Sequence, residues 1–272
     1  MNFHSDEWIM DRVWEHYKEA LEHFSEDRIV GIFYQGSGNY GLDYEGSDVD
    51  TKLIVTPTFE DIAMNKKAVS TTHIRENEEH IDFKDIRLYM ETFRKQNLNF
   101  LEILFTPYEI INPAYAAEWF RLYQAREQIA RMNPWRAVKS MKGIALEKYH
   151  AMEHEYPSKM DVLAKYGYDP KQLHHAYRLL FMLDAMLNED KSFGDAMVFD
   201  GATRDFLMHV KVNGVGDKLT AEDMMDNVME QMQELYERVF DGKTPKYEYS
   251  VHGETLARVE ALVVDVVCSS FR

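Results

Sequence analysis

The sequence predicts an α+β chain, a mixed sheet flanked by helices and followed by a helical region. Two observations lead to that class. Short apolar or alternating runs bounded by glycine, proline and acidic turns occupy the first 110 or so residues, and from Asn112 onward apolar residues recur almost only at three- and four-residue steps. The expected division is residues 1–112 as the sheet-containing domain and 113–272 as a helical domain. There is no internal repeat and no low-complexity linker.

An opening amphipathic helix is expected over about 5–25. Trp8, Ile9, Val13, Trp14, Tyr17, Leu21 and Phe24 recur at three- and four-residue steps, and Ser5 is placed to cap it. Strands follow at about 28–35 and 48–56, and Pro57 ends the second. Thr58-Phe59-Glu60-Asp61 starts a short helical link. Residues 68–75 and 79–84 read as a hairpin around Glu76-Asn77-Glu78. Asp85 then caps a helix beginning near Ile86, which Gln96-Asn97-Leu98-Asn99 interrupts before Phe100–Phe105 resumes it. Later helices are expected at about 114–130, 134–153, 158–166, 170–187, 200–210, 221–240 and 253–270. Thr220-Ala221-Glu222-Asp223 has the shape of a capping box, and Met224, Met225, Met229 and Met232 read as core filling.

Composition narrows the function classes. No run of about 18 apolar residues exists, so a membrane span is not expected. The first residues lack the basic and apolar regions of a signal peptide, and Cys268 is the single cysteine, so a cytoplasmic setting is expected, with neither an internal disulfide nor a cysteine-rich zinc site. The net charge of −16 argues against broad, non-specific nucleic-acid binding, which depends on Lys/Arg contacts to phosphates. Lys139, Lys142 and Lys148 leave room for a local basic patch. His150 and His154 are four residues apart with no third ligand evident, so they read as an exposed helix face.

The chemistry concentrates in Tyr34-Gln35-Gly36-Ser37-Gly38-Asn39-Tyr40-Gly41-Leu42 and Ser47-Asp48-Val49-Asp50. A strand leads into a glycine-rich turn, and a second strand carries two aspartates at i and i+2. Alternation points Asp48 and Asp50 the same way, with Val49 and Leu53 opposite. Two such carboxylates repel unless a cation sits between them. Mg²⁺ is the usual cation for such a site and shares its shell with substrate phosphates.

This arrangement resembles the DNA polymerase beta-type nucleotidyltransferase superfamily, whose signature is Gly, Gly or Ser, a spacer of about ten residues, and Asp-apolar-Asp. A narrower resemblance, over about residues 30–190, is to the RNA-repair-pathway DNA polymerase beta family. It rests on Gly36-Ser37-x-x-Tyr40-Gly41-Leu42, on Gln96-Asn97-Leu98-Asn99-Phe100-Leu101-Glu102-Ile103-Leu104-Phe105, where Leu98 replaces a frequent proline, and on Lys171-x-x-His174-His175-x-x-Arg178-Leu179.

The resemblance implies a catalytic domain over 1–112 and a helical domain over 113–272 that closes a nucleotide cleft. It implies a third carboxylate on a later strand, for which Asp82 in His80-Ile81-Asp82-Phe83 is the candidate. Asp48, Asp50 and Asp82 would hold two Mg²⁺ ions, with Mn²⁺ as a substitute. Gly36 and Ser37 would hold the β- and γ-phosphates of a nucleoside triphosphate such as ATP. An RNA end, of the kind a tRNA carries, would be the acceptor. Lys171, His174 (or His175) and Arg178 form one basic helix stripe suited to phosphates. Periodicity does not decide which histidine belongs to it. Glu102 is expected to pair with a lysine or arginine. Two alternatives stand beside this reading. One is the same chemistry on a protein or small-molecule acceptor, as in toxins and antibiotic-modifying enzymes. The other is a nucleotide sensor without turnover.

Overall fold

The computed structural model describes residues 3–240 and 249–271. By contacts the chain divides into two units, Met1–Met132 with Tyr249–Arg272, and Asn133–Glu248.

The first unit contains the sheet. Its elements are α1 (Asp6–Ala20), β1 (Ile29–Gln35), β2 (Asp50–Val55), α2 (Phe59–Ala63), β3 (Ser70–Ile74), β4 (His80–Asp85), α3 (Leu88–Arg94), α4 (Leu98–Leu101), β5 (Glu109–Ile111), α5 (Ala116–Gln124) and α6 (Arg126–Ala130). The strand order is β3-β4-β2-β1-β5. β2 and β4 are parallel, and the other neighbours are antiparallel, so the sheet is mixed as expected. β1 lies between β2 and β5, and its apolar run is buried along almost its whole length. β3, at the edge, is polar and exposed, which blunts pairing with another chain.

α1 covers one face. Its Ile9, Val13, Tyr17 and Ala20 pack with Ile32, Tyr34, Val49, Leu53, Val55, Ile81 and Phe83. Ser5 caps it as expected, accepting from the Trp8 amide. The helix ends at Ala20, short of the expected 25. On the opposite face Phe33 meets Trp119 of α5, with ring centroids 4.5 Å apart. Thr58 and Asp61 form a reciprocal capping box on α2. Asp85 accepts from the Arg87 amide at 2.9 Å and also binds the Arg87 guanidinium, so it organises the turn into α3 without being its cap residue. Gln96 adopts φ 53°, and Asn97 caps α4, which accounts for the expected interruption.

The last helix, α13 (Tyr249–Ser269), belongs to the sheet unit and packs on α3, α5 and α6. Its Val259, Leu262, Val263 and Val266 are buried, and Arg94–Glu260 (3.2 Å) and Arg121–Asp265 (3.1 Å) frame the contact. The compact units therefore differ from the expected boundary at 112. Residues 113–132 and α13 are helical by pattern but bury their apolar faces against the sheet unit. Periodicity reveals an apolar face and not its partner.

The second unit is helical: α7 (Pro134–Ala151), α8 (Met160–Tyr166), α9 (Pro170–Leu187), α10 (Phe193–Met197), α11 (Gly201–Asn213) and α12 (Lys218–Val239). α9 is its centre, packed by α7, α10, α11 and α12. Of the methionines expected to fill the core, Met225 and Met232 are buried, as are Met141 and Met182, whereas Met224 and Met229 are only half-buried. The expected capping box at Thr220 is replaced. Asp217 caps α12, accepting from both the amide and the hydroxyl of Thr220, so the helix starts three residues earlier than expected. Two short elements, β5 and α10, have no counterpart in the sequence reading; each spans too few residues to show a period.

Candidate active site

Gly36 and Ser37 follow β1 directly. A Cβ on Gly36 would lie 2.7 Å from the Tyr34 hydroxyl, so the close approach of that ring demands glycine. The Tyr34 hydroxyl accepts from the Gly38 amide at 3.0 Å, and burial raises the pKa of the Tyr34 phenol far above its usual range. Gly41 ends the turn with φ 69°, the left-handed region. The Ser37 hydroxyl donates to Ser47 Oγ at 3.0 Å, and Ser47 also accepts from the Tyr44 amide. The glycine-rich turn and the residue preceding Asp48 are thus tied together across the spacer.

Asp50 begins β2, while Asp48 lies just before it and is exposed. Val49 is buried against α1, and Asp50, the first residue of β2, is turned to the other face; Asp48 precedes the strand, so alternation does not fix its direction. Asp50 Oδ1 accepts from the His80 amide at 2.9 Å, with the His80 ring at 3.3 Å. In the parallel ladder Lys52 is registered with Asp82, which puts Asp82 on the face of β2 that carries Asp50. Asp82 accepts from the Thr72 hydroxyl of the neighbouring strand and lies 3.8 Å from Lys84 Nζ.

Three residues on this face escaped notice as parts of the site. Lys52 is 1% exposed, donates to the Asn99 carbonyl and lies 4.5 Å from the Phe100 ring centroid. Burial pushes its pKa down to about 8, against the opposing pull of Glu102 and Asp82. Glu102 is buried and accepts from the Tyr40 hydroxyl. Tyr40 belongs to the glycine-rich turn, Lys52 to the aspartate strand and Asn99 to α4, so this cluster joins three segments. Lys52 was detectable in advance. It stands two residues after Asp50 on a strand and therefore on the same face. Among the described residues Glu102 makes no ion pair with a lysine or arginine; Lys52 feels its charge only at longer range.

The basic stripe on α9 is resolved by burial. His174 is 1% exposed and faces α11, its Nδ1 donating to the Leu207 carbonyl at 2.9 Å. Burial holds the imidazole down to about 3, so it is neutral. His175 is half-buried on the side of Lys171 and Arg178. Burial and the charges of Arg178 and Lys171 keep it well below its ordinary value, and its Nδ1 has no hydrogen-bond partner among the described residues. The histidine of the stripe is His175, and His174 belongs to the core.

The donors Asp48, Asp50 and Asp82 suit a hard cation, being all carboxylate oxygen. Among the described residues no three acidic, histidine or cysteine side chains are gathered into a ready-made metal cluster. Nor is any helix among them long and apolar enough to cross a membrane.

No family model matches the sequence, and no curated protein matches it. Among solved structures, the chain is similar to the crystal structure of a nucleotidyltransferase-like protein from Exiguobacterium sibiricum 255-15, at 11% identity and a TM-score of 0.29, over 95% of this chain and 91% of that one. That similarity is distant and assigns no residue of this chain a role.

Proposed function

We propose that the chain is a divalent-metal-dependent nucleotidyltransferase. It moves a nucleoside monophosphate from a nucleoside triphosphate to a hydroxyl acceptor. A bond forms between the acceptor oxygen and the α-phosphorus, the α–β phosphoanhydride bond breaks, pyrophosphate leaves, and the hydroxyl proton passes to solvent or a carboxylate. The observation that carries the reading is the sharing of one sheet face by Asp50 and Asp82, with Asp48 two residues before Asp50, beside a glycine-rich turn hydrogen-bonded to Ser47.

Asp48, Asp50 and Asp82 would hold Mg²⁺, with the nucleotide's phosphates completing its shell, consistent with side chains that form no closed cluster by themselves. When bound, the metal supplies charge neutralisation at the attacking and leaving oxygens. Gly36 and Ser37 would offer amides and a hydroxyl to the β- and γ-phosphates. Taken by itself, the helical unit carries Lys171, His175 and Arg178 as a stripe that we propose for phosphate oxygens, with no placement relative to the aspartates implied.

The acceptor we propose first is an RNA end. The net charge of −16 favours a second reading, a protein or small-molecule acceptor with the same chemistry, because an extended RNA grip needs basic surface. Label transfer from each α-³²P nucleoside triphosphate, with Mg²⁺ and total cellular RNA, tests both. Label in RNA that is lost with Asp48→Ala/Asp50→Ala supports the first reading. Label in protein or a small molecule moves the acceptor. Nucleotide binding without any transfer would reject catalysis and leave a sensor.

A further inference from the structure

Asp48-Val49-Asp50 sits where β2 runs out of ladder. The pairing with β4 extends from Thr51↔Ile81 to Val55↔Asp85. Continued backwards, the same register sets Asp50 opposite His80 and Val49 opposite Glu79, and there side chains take over from the backbone. Asp50 Oδ1 accepts the His80 amide at 2.9 Å, and Glu79 Oε1 accepts the Val49 amide at 3.3 Å. Two consecutive residues of the β4 strand entry therefore hold the aspartate segment, one through Asp50 and one through the residue between the aspartates.

Glu79 is itself heavily held. Its Oε2 takes Arg12 and His16 from α1, the latter at 3.0 Å, and Arg75 at 2.9 Å. His16, fully buried, meets the Thr51 hydroxyl with its other ring nitrogen at 2.9 Å. The contacts close a ring, Glu79–His16–Thr51 and back along the chain through Asp50 to Val49, and return to Glu79. Burial alone would raise the Glu79 carboxyl, but hydrogen bonds from His16, Arg12 and Asn77 hold it well below the usual carboxylate range. A buried carboxylate with this many donors is rigid, and the network loses as a unit when one member goes.

We infer that Glu79, supported by His16, is a positioning residue for the candidate metal site, clasping Val49 from the back of the sheet so that Asp48 and Asp50 present their carboxylates together on the front. The inference rests on the reading of those aspartates as cation ligands. Groups that orient metal ligands without touching the metal are typically worth roughly 10–100-fold in metal affinity.

The test uses the full chain with Mn²⁺ alone, its binding followed by electron paramagnetic resonance, together with amide hydrogen exchange of residues 47–52. Glu79→Ala should weaken Mn²⁺ binding by roughly 10–100-fold and speed exchange at Val49. Glu79→Gln, which keeps an acceptor oxygen but not the charge, should fall between Glu79→Ala and the native chain. If Glu79→Ala does not fold, Glu79→Gln carries the decision. Glu19→Gln is the control. Glu19 holds His73 (2.6 Å) and the same Arg75 (2.7 Å) on the outer side of the cluster, so its loss should weaken the hairpin yet leave both readouts native. Native Mn²⁺ affinity in the Glu79 variants, or an equal loss in Glu19→Gln, overturns the clasp. If the native chain binds no Mn²⁺, the metal reading fails separately, and the exchange data decide. Faster Val49 exchange in the Glu79 variants but not in Glu19→Gln upholds the clasp, and unchanged exchange removes it.

Discussion

The two faces of β2 are built on opposite terms. The back face, Val49, Thr51, Leu53 and Val55, is buried against α1, and its one hydroxyl is met by His16. The front face carries Asp50 and Lys52, with Asp48 two residues before Asp50 and Asp82 registered beside Lys52. One face is apolar and satisfied, while the other concentrates charge that packing alone does not require. A strand so divided costs stability on the front and recovers it on the back, which is the pattern expected where a fold supports a reactive site.

The largest effect should come from the front. Asp48→Ala and Asp50→Ala are each expected to lower nucleotidyl transfer by at least roughly 100-fold, exceeding what residues outside the ligand set contribute. Asp48→Ala should not lower the melting temperature, since Asp48 is exposed and removing one of two like charges relieves repulsion, whereas Asp50→Ala also frees the His80 amide and should cost about 1 kcal/mol. A parallel loss of activity and melting temperature in Asp48→Ala would erase the distinction between the faces.

The back face should respond in reverse. Leu53 is fully buried within the α1 core. Leu53→Ala should cost about 3 kcal/mol by urea unfolding, from lost transfer energy and the cavity left behind. Its Mn²⁺ affinity, measured well below the unfolding range, should stay within about threefold of native, because Leu→Ala leaves the backbone hydrogen bonds of β2 in place. A large loss of affinity would mean that core packing, and not the side-chain clasp, sets the aspartates.

Lys52 tests a residue that belongs to both descriptions, front-facing yet buried. Lys52→Met keeps the length and removes the charge, taking away the donor to the Asn99 carbonyl and the positive charge nearest the buried Glu102 in effect. A destabilisation of about 2 kcal/mol is expected from the uncompensated carboxylate. The Lys52→Met/Glu102→Gln pair should recover part of it. If the single variant is as stable as native, the cluster does not bind the glycine-rich turn to the strand.

Much of this was legible in advance. The strands β1 to β4 and the α1 cap at Ser5 follow from alternation and local capping chemistry, which act over a few residues. The Gly36 requirement follows from a contact only two residues away. What escaped was non-local. Glu79 reaches Val49 across 30 residues and His16 across 63, and α13 returns to the sheet unit after the entire helical unit. No sequence period encodes such a partner.

The helix α9 repeats the contrast with a different period. His174 and His175 are adjacent in sequence, yet one turns into the core and the other joins Lys171 and Arg178. His174 is held neutral with a pKa of about 3, against 6.5 for the ordinary imidazole. The unfolded chain therefore binds a proton that the folded chain refuses between those two values. The stability this provides is complete above pH 6.5 and is lost as pH falls toward 3. Between pH 7 and pH 5 the native chain should lose about 1–2 kcal/mol on this account, and His174→Gln should remove that part of the slope in urea unfolding. His175 is shifted in the same direction, so His175→Gln should flatten the slope as well. The two histidines part company in phosphate binding. His175→Leu should weaken phosphate affinity a few-fold through loss of a donor on the stripe, at the cost of one hydrogen bond, whereas His174→Leu should not. Equal effects of both on phosphate affinity would show that the stripe acts only through the integrity of the helix.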